Sequence, residues 1–478
     1  MPDWGFVGPS YEAPSIYQSA DETINWFCEK DPLKGDGQRG QYALYPTPGL
    51  VLKCQPINGE VRGMRPIQGG TALAAIIGSR FYTIDQSFVA TQRGTLSSSA
   101  GPVSIGDNGS SVYFCDPSNR YFYTYGSATF GTVASTDGGF TGGGATDIID
   151  GFLVYNQLGT QNWGATSLNS VSSPNLSVGK KDGSSDNIVS LIVNNREVFL
   201  LGEFTSEVWQ DAGAFPFPFT RIPGTSTQHG LAAKNSVSRL GNSFAYVSQD
   251  TRGQGIIVVM NGYTPVEIST HAVTNTLINQ TISDAVAWTY QMEGHEFYVV
   301  TFPSIDLTWV YDASTQFWHK WLYWDPLGVY HRHRGQCQAI FNGLVLVGDY
   351  QNGAIYAIDN KTYTDNGQTI RRLRRAPHLV TDFNQQFFDR LQLQFQPGVG
   401  LSTGQGSDPQ AMLRWSNDGG STWSNEHWKS IGQIGKYKNR AIWRRLGSAR
   451  DRVFEVVFSD PVKAVIVSAN LAASSSDI

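Results

Sequence analysis

The chain has 478 residues, 40% hydrophobic and only 16% charged, with a formal net charge of −5. That length holds one large domain plus a smaller one, and the hydrophobic share is that of a chain with a buried core. The start, MPDWGFVGPS, lacks the basic stretch and apolar run of a targeting segment, and runs such as Leu73–Ile77 and Ile256–Met260 are far too short to cross a bilayer. The chain therefore reads as soluble and unsecreted. Cys28, Cys54, Cys115 and Cys337 form no CxxC pair, which argues against a zinc site or a disulfide framework and for four reduced thiols packed as small hydrophobes.

Low charge, 51 glycines and 12% aromatics point to many short strands joined by tight turns. Residues 1–54 stand apart: a polar, charged loop at Asp31–Gly40 and a turn at Tyr45-Pro46-Thr47-Pro48-Gly49 mark either an arm or a strand that closes a ring from the N-terminal side. From there to residue 360, alternating apolar runs bounded by Gly, Asn, Asp and Pro predict strands. They include Leu73–Ile77, Phe81–Ile84, Ser111–Cys115, Tyr121–Tyr125, Phe152–Tyr155, Ile188–Val193, Glu197–Gly202, Phe244–Val247, Gly255–Met260, Glu296–Thr301 and Leu307–Tyr311. The one short helix predicted is Ala272–Asn279.

These strands recur in groups. Aromatic or β-branched landmarks at Tyr82, Tyr123, Trp163, Trp209, Val258, Tyr311 and Tyr356 are 40 to 53 residues apart. That spacing, with about four strands per unit, is the period of β-propeller blades. A lone blade buries too little apolar surface to hold together, whereas blades packed face to face around an axis share a core and protect their edges. Small residues are expected at the crowded axis. The fold predicted is all-β: a propeller of about six or seven blades over residues 55–360, with a small C-terminal β-sandwich-like domain over 361–471. The latter rests on runs at Phe388–Phe395, Ala411–Trp415, Ala441–Leu446, Val453–Phe458 and Val462–Val467, with a loop at Pro397–Gln410; residues 472–478 are expected to be a flexible tail.

Charge divides along the same line. Residues 361–478 carry 16 Lys+Arg against 10 Asp+Glu, whereas residues 1–360 carry 19 against 30. The basic cluster Arg371, Arg372, Arg374, Arg375 and the later Arg440, Arg444, Arg445, Arg450 and Arg452 have two readings: a surface for an acidic neighbour or a DNA channel, or ordinary pairing with nearby acids. No nucleic-acid-reading motif is present, so contact with DNA would be nonspecific and salt-sensitive. In His331-Arg332-His333-Arg334, strand alternation would put both imidazoles on one face and both guanidiniums on the other; with no third ligand at a standard spacing, a partner contact is preferred to a metal site.

Ser416-Asn417-Asp418-Gly419-Gly420-Ser421-Thr422-Trp423 fits the Asp-box S-x-D-x-G-x-T-W, a hairpin device in which Ser416, Asp418, Gly420, Thr422 and Trp423 have structural roles. Phe215-Pro216-Phe217-Pro218-Phe219 lacks the donors of a central strand and reads as a loop over the core or a protrusion. Asp147, Asp150, Glu203 and Glu207 are acids that a sugar hydrolase would have to pair in a cleft, and GxxxxGK[ST], HExxH and GxSxG are absent. No catalytic residue, metal or cofactor is assigned.

The runs LLGEFTSEVWQDAGAFPFPFTRIPG, HGLAAKNSVSRLGNSFAYVSQD and GIIVVMNGYTPVEIST, from Phe199 to Thr270, resemble the core blades of phage tail propeller proteins. The run from Trp415 to Leu471 resembles their last domain, and PTPGL, NGEVRGM and Tyr82 loosely match their opening. The family is that of the packaged-DNA stabilisation proteins (tail accessory or hub proteins) of Salmonella-type short-tailed phages, akin to nozzle proteins. The resemblance implies a non-enzymatic virion protein, made in the host cytoplasm, with no membrane insertion. It implies a ring of about six copies below the portal–adaptor ring, continuing the DNA exit channel and seating a needle, plug or fibre protein. The rival is a glycan-binding or sialidase-like propeller such as a phage receptor-binding protein, which would show further Asp-boxes in its blades.

Overall fold

Seven antiparallel sheets follow one another along the chain from Val61 to Asp359 in the computed structural model, which describes residues 4–35, 40–134, 137–140, 142–249, 253, 255–382 and 384–475. The first strands of the seven are Val61–Ile67, Ser104–Asp107, Thr146–Ile149, Ile188–Asn194, Ser238–Leu240, Val286–Met292 and Gly335–Phe341. The third strands carry the aromatic landmarks: Tyr82, Tyr123, Trp163, Trp209, Val258, Tyr311 and Tyr356 each lie in the third strand of successive sheets. The period seen in the sequence is thus one strand position repeated once per blade.

Ring closure follows from the cores. Seven apolar clusters each join the facing sides of two adjacent sheets, and one of them joins the last sheet to the first through Val61, Leu73, Ile77, Leu346 and Ile355. An open row of seven sheets has only six such interfaces. The last sheet takes its outer strand from the other end of the chain: Gly49–Cys54 pairs antiparallel with Ile355–Asp359. This strand, within residues 1–54, closes the ring. Gly49 is required there, because a Cβ would fall 2.5 Å from the Thr364 carbonyl oxygen.

A cavity of about 640 Å³ lies at the axis, lined by small residues such as Gly63, Ser104, Ala145, Ser190 and Ala287 together with polar or charged ones including Arg65, Asp147, Lys234, Arg239 and Gln336. The helix occurs at His271–Leu277, with the Thr270 hydroxyl accepting from Val273 N–H at its start.

The sandwich draws on both ends of the chain. One sheet holds Glu22–Ile24, Arg372–Arg375, Asp451–Phe458, Gln410–Ser416 and His427–Ser430; the other holds Trp26–Lys30, Tyr42–Pro46, Ile466–Ser475, Gln386–Phe395 and Ala441–Arg444. Its core includes Phe6, Trp26, Leu44, Leu391, Trp443, Phe454 and Phe458. Residues 361–471 alone therefore do not make the domain. The expected flexible tail is also corrected: residues through Ser475 continue a strand paired with Gln386–Phe395, and 476–478 lie outside the described residues, as do 36–39 of the expected loop.

Candidate functional site: the propeller–sandwich junction and the basic face

Strand Glu22–Ile24 joins the two parts. On one side Ile24 pairs in parallel with Lys320 of the sixth blade's outer strand; on the other it pairs antiparallel with Arg372–Arg375. The next residue, Asn25, is fully buried and left-handed at φ 59°. Asparagine tolerates that conformation better than most side chains. Its amide donates to the Leu322 carbonyl at 2.9 Å and the Arg371 carbonyl at 2.8 Å, and its Oδ1 accepts from Leu322 N–H at 2.8 Å. One side chain thus ties three segments far apart in sequence. Nothing in the local sequence marks it beyond the preference of Asn for left-handed turns.

Around it runs a balanced chain of charge. Lys320 reaches Glu12 at 2.6 Å and Glu22 at 2.9 Å; Arg375 bridges Glu22 at 3.2 Å and Glu455 at 2.8 Å; Arg414 meets Glu455 at 2.5 Å. Burial pushes the Glu12 carboxyl up from its ordinary range, while Lys320 and Arg375 hold that of Glu22 down against burial. Nearby, His295 sits between Asp312, 2.7 Å from its Nδ1, and Glu29 of the sandwich, which its Nε2 meets. The bond to Asp312 raises its pKa to about 9.

The first arginine cluster faces inward. Arg372 and Arg374 alternate onto one side of a central strand, and both are fully buried. Arg374 pairs with Asp21 at 2.8 Å and donates to Thr23 Oγ1 and to the Gly5 and Phe6 carbonyls. Arg372 lies among Thr47, Ile370 and Tyr363, and burial lowers its pKa to about 10 while raising that of nearby Asp365 to about 7. Arg371 stacks 4.7 Å from the Trp324 ring and donates to Tyr330 Oη at 2.9 Å. Arg452 is buried against Phe388, with Nη1 donating to the Leu446 carbonyl at 2.5 Å. Arg372, Arg374 and Arg452 are therefore withdrawn from any outside partner or DNA channel. Their surroundings explain why: an unpaired buried charge is costly, and each guanidinium is surrounded by carbonyls, carboxylates or rings.

The His331–Arg334 run does not keep strict strand alternation, since the strand ends at Arg332. His331 contacts Asp306 at 2.6 Å and Asp325 at 3.4 Å. Arg332 lies over Tyr350 at 3.7 Å and Arg334 over Tyr323 at 4.0 Å. His333 is buried 4.1 Å from the Trp321 ring, its pKa lowered to about 3 by burial. Among the described residues no group of three or more His, Cys, Asp or Glu side chains is placed to hold a metal.

Arg440, Arg444, Arg445 and Arg450 remain exposed on the sandwich, with Lys429, Lys436 and Lys438 also exposed on that domain. None of the seven has an ion-pair partner among the described residues. In the Asp-box turn, Asp418 Oδ1 accepts from Ser416 Oγ at 2.6 Å and Thr422 N–H at 2.8 Å, Oδ2 accepts from Thr422 Oγ1, and Gly420 takes φ 103°. Trp423 stacks beside Arg375 and Arg414. The Phe-Pro run divides: Phe217 and Phe219 pack on Trp163, whereas Phe215 is 96% exposed. The four acids meet different partners: Asp147 pairs with Arg239, Asp150 with Arg196 and Glu207 with Arg221, while Glu203 accepts from Asn187.

Fold and junction together define a two-part all-β building block whose halves share a sheet and are tied by the ion pairs of Lys320 with Glu12 and Glu22 and of His295 with Glu29. Comparison with known proteins places that block. The profile of the family described as Bacteriophage P22 Gp10, beta-propeller matches residues 32–363, and that described as Bacteriophage P22 Gp10, beta-sandwich matches residues 371–474. The chain belongs to this family of tail and DNA-stabilisation proteins of short-tailed phages, structural components of the virion. No curated protein matches it. Similar solved structures include the N-terminal domain of Nup159, with a TM-score of 0.41 and 11% identity over 71% of this chain and 98% of that one. Another is a Saccharomyces cerevisiae complex of Dbp5 with Nup159 and Gle1, with a TM-score of 0.41 and 10% identity over 71% of this chain and 99% of that one.

Proposed function

We propose that the chain is a ring-forming tail subunit that extends the DNA exit channel below the portal–adaptor ring and retains packaged DNA by mechanical means. Its family membership across both domains carries this reading. A closed propeller resists deformation because every blade is held on both sides, and the sandwich is locked to it by a shared sheet and buried ion pairs. Copies associate head to tail into a closed ring of about six. The exposed basic face at Arg440, Arg444, Arg445 and Arg450 supplies a docking surface for an acidic neighbour, whether the next copy or the adaptor. Contact with double-stranded DNA is nonspecific, and a needle, plug or fibre protein seats on the distal rim. The test is genetic: phage lacking the protein should fill their heads and then lose the genome. Stable, filled particles without it overturn the reading.

A further inference from the structure

We propose that a groove between the fourth and fifth blades binds a neutral sugar ring. The groove holds about 460 Å³, within the roughly 300–1,000 Å³ of ligand clefts. Its floor is apolar, with the buried Phe199 ring 6.3 Å from that of Tyr263. Its rim carries four asparagines, Asn194, Asn195, Asn242 and Asn261, with Glu197 and Tyr263.

The four asparagines sit at three two-residue hairpin turns that meet at the rim: Asn194 and Asn195 before Glu197, Asn242 before Ser243, and Asn261 before Gly262. Only Asn195 among them has positive φ, at 50°. Asn194 uses its amide nitrogen on the Asn242 carbonyl, leaving its Oδ1 unused. The side chains of Asn195, Asn242 and Asn261 make no hydrogen bond among the described residues, so they cap nothing. Each offers a donor pair and an acceptor side by side, the arrangement that vicinal hydroxyls require because every hydroxyl both gives and accepts a proton. Glu197 accepts a hydrogen bond from the Tyr263 hydroxyl at 2.7 Å, which fixes the ring and leaves the second carboxylate oxygen as a strong acceptor. Tyr263 lines the groove and is 39% exposed, an aromatic ring of the kind that stacks on the C–H surface of a pyranose.

Charge narrows the ligand class. Glu197 is the one ionised group among the lining residues, and Arg196 turns away to pair with Asp150 at 3.0 Å. An anionic sugar, a phosphate or a nucleic acid would meet a carboxylate without a cation. A neutral polyol meets only matched donors and acceptors. This inference is independent of ring formation: a chain that binds sugar but never assembles would leave it standing.

Saturation-transfer difference NMR on the full chain tests it, with neutral trisaccharides of glucose, galactose, mannose and rhamnose as probes and sialyllactose as the anionic control. At least one neutral probe should bind with a Kd of about 1 mM or tighter. Tyr263→Ala and the Asn242→Ala/Asn261→Ala pair should each weaken it about tenfold or more, while Tyr263→Phe, which keeps the ring, should lose less. Circular dichroism of each variant should remain that of the parent, since these side chains lie at the surface. No neutral probe binding at about 10 mM, equal binding by the folded variants, or preference for sialyllactose would each overturn the proposal.

Discussion

Replacing Asn25 should do as much damage as replacing a large core side chain. In Asn25→Ala the Leu322 N–H loses its acceptor, the Leu322 carbonyl loses the Asn25 amide, and the Arg371 carbonyl is left with only the 3.3 Å bond from Tyr330 Oη. Each buried polar group left unmatched costs about 1–3 kcal/mol. Alanine at φ 59° adds about 1 kcal/mol of backbone strain that Asn partly escapes. Allowing for shared relaxation, the expected loss is about 4 kcal/mol. Two further variants separate the terms. Asn25→Gly removes the same bonds without the strain and should be about 1 kcal/mol better than Ala. Asn25→Asp keeps an acceptor for Leu322 N–H but sets a carboxylate against two carbonyls, and should be no better than Ala. Urea unfolding followed by tryptophan emission reads the loss, and Trp321 and Trp324 lie close to the junction. A cost for Ala under about 1 kcal/mol, or a Gly variant worse than Ala, would refute the view of Asn25 as the tie between propeller and sandwich.

Arg374→Met should cost about 3–5 kcal/mol, because Asp21 and the Gly5 and Phe6 carbonyls lose their cation; the urea midpoint measures it. Because His295 holds its proton up to about pH 9 in the fold against an ordinary 6.5, its contribution is complete below 6.5 and is lost as pH rises through 9; stability against pH should fall over that window, and His295→Gln should flatten it. Truncation after Leu471 removes the pairing of residues 472–475 with Gln386–Arg390 and should lower the thermal midpoint, where loss of a frayed tail would leave it unchanged. Substituting Arg440, Arg444, Arg445 and Arg450 together by Gln should leave monomer stability within about 0.5 kcal/mol per site, yet weaken self-association or docking in a salt-dependent way, read by sedimentation.

The blade period was legible because every third strand repeats the same environment: a β-branched or aromatic residue packed between neighbouring sheets. Tyr82 and Tyr356 occupy that position in the first and last blades, and no knowledge of the partner strand was needed to see it. The first strands were less visible. Val61–Ile67 contains Arg62, Arg65 and Pro66, since one end faces the polar-lined axial cavity and its alternation is broken by a bulge. For a related reason, the sequence could not decide between the two readings of the arginine strand. Arg-Leu-Arg-Arg has the composition of a surface, and only the carboxylates that make it an interior lie elsewhere: Asp21 and Glu22 some 350 residues earlier, Glu455 some 80 later. Pairing of charges at such separation leaves no local trace.

Those distant partners also explain why the chain's ends must fold together. The first 54 residues run through the sandwich core at Phe6 and Val7, bind Lys320 of the sixth blade through Glu12 and Glu22, supply three sandwich strands, and then close the seventh blade at Gly49–Cys54. Neither domain completes its hydrogen bonding without this strap. Opening the ring at the seventh blade would therefore pull on strands of the sandwich, and loosening the sandwich would free the blade's outer strand. A subunit wired in this way yields as one body, at the cost of contacts between residues very far apart in sequence and hence slow folding. In such a slow-folding, tightly wired subunit, persistence is set by the height of the unfolding barrier more than by the speed of folding.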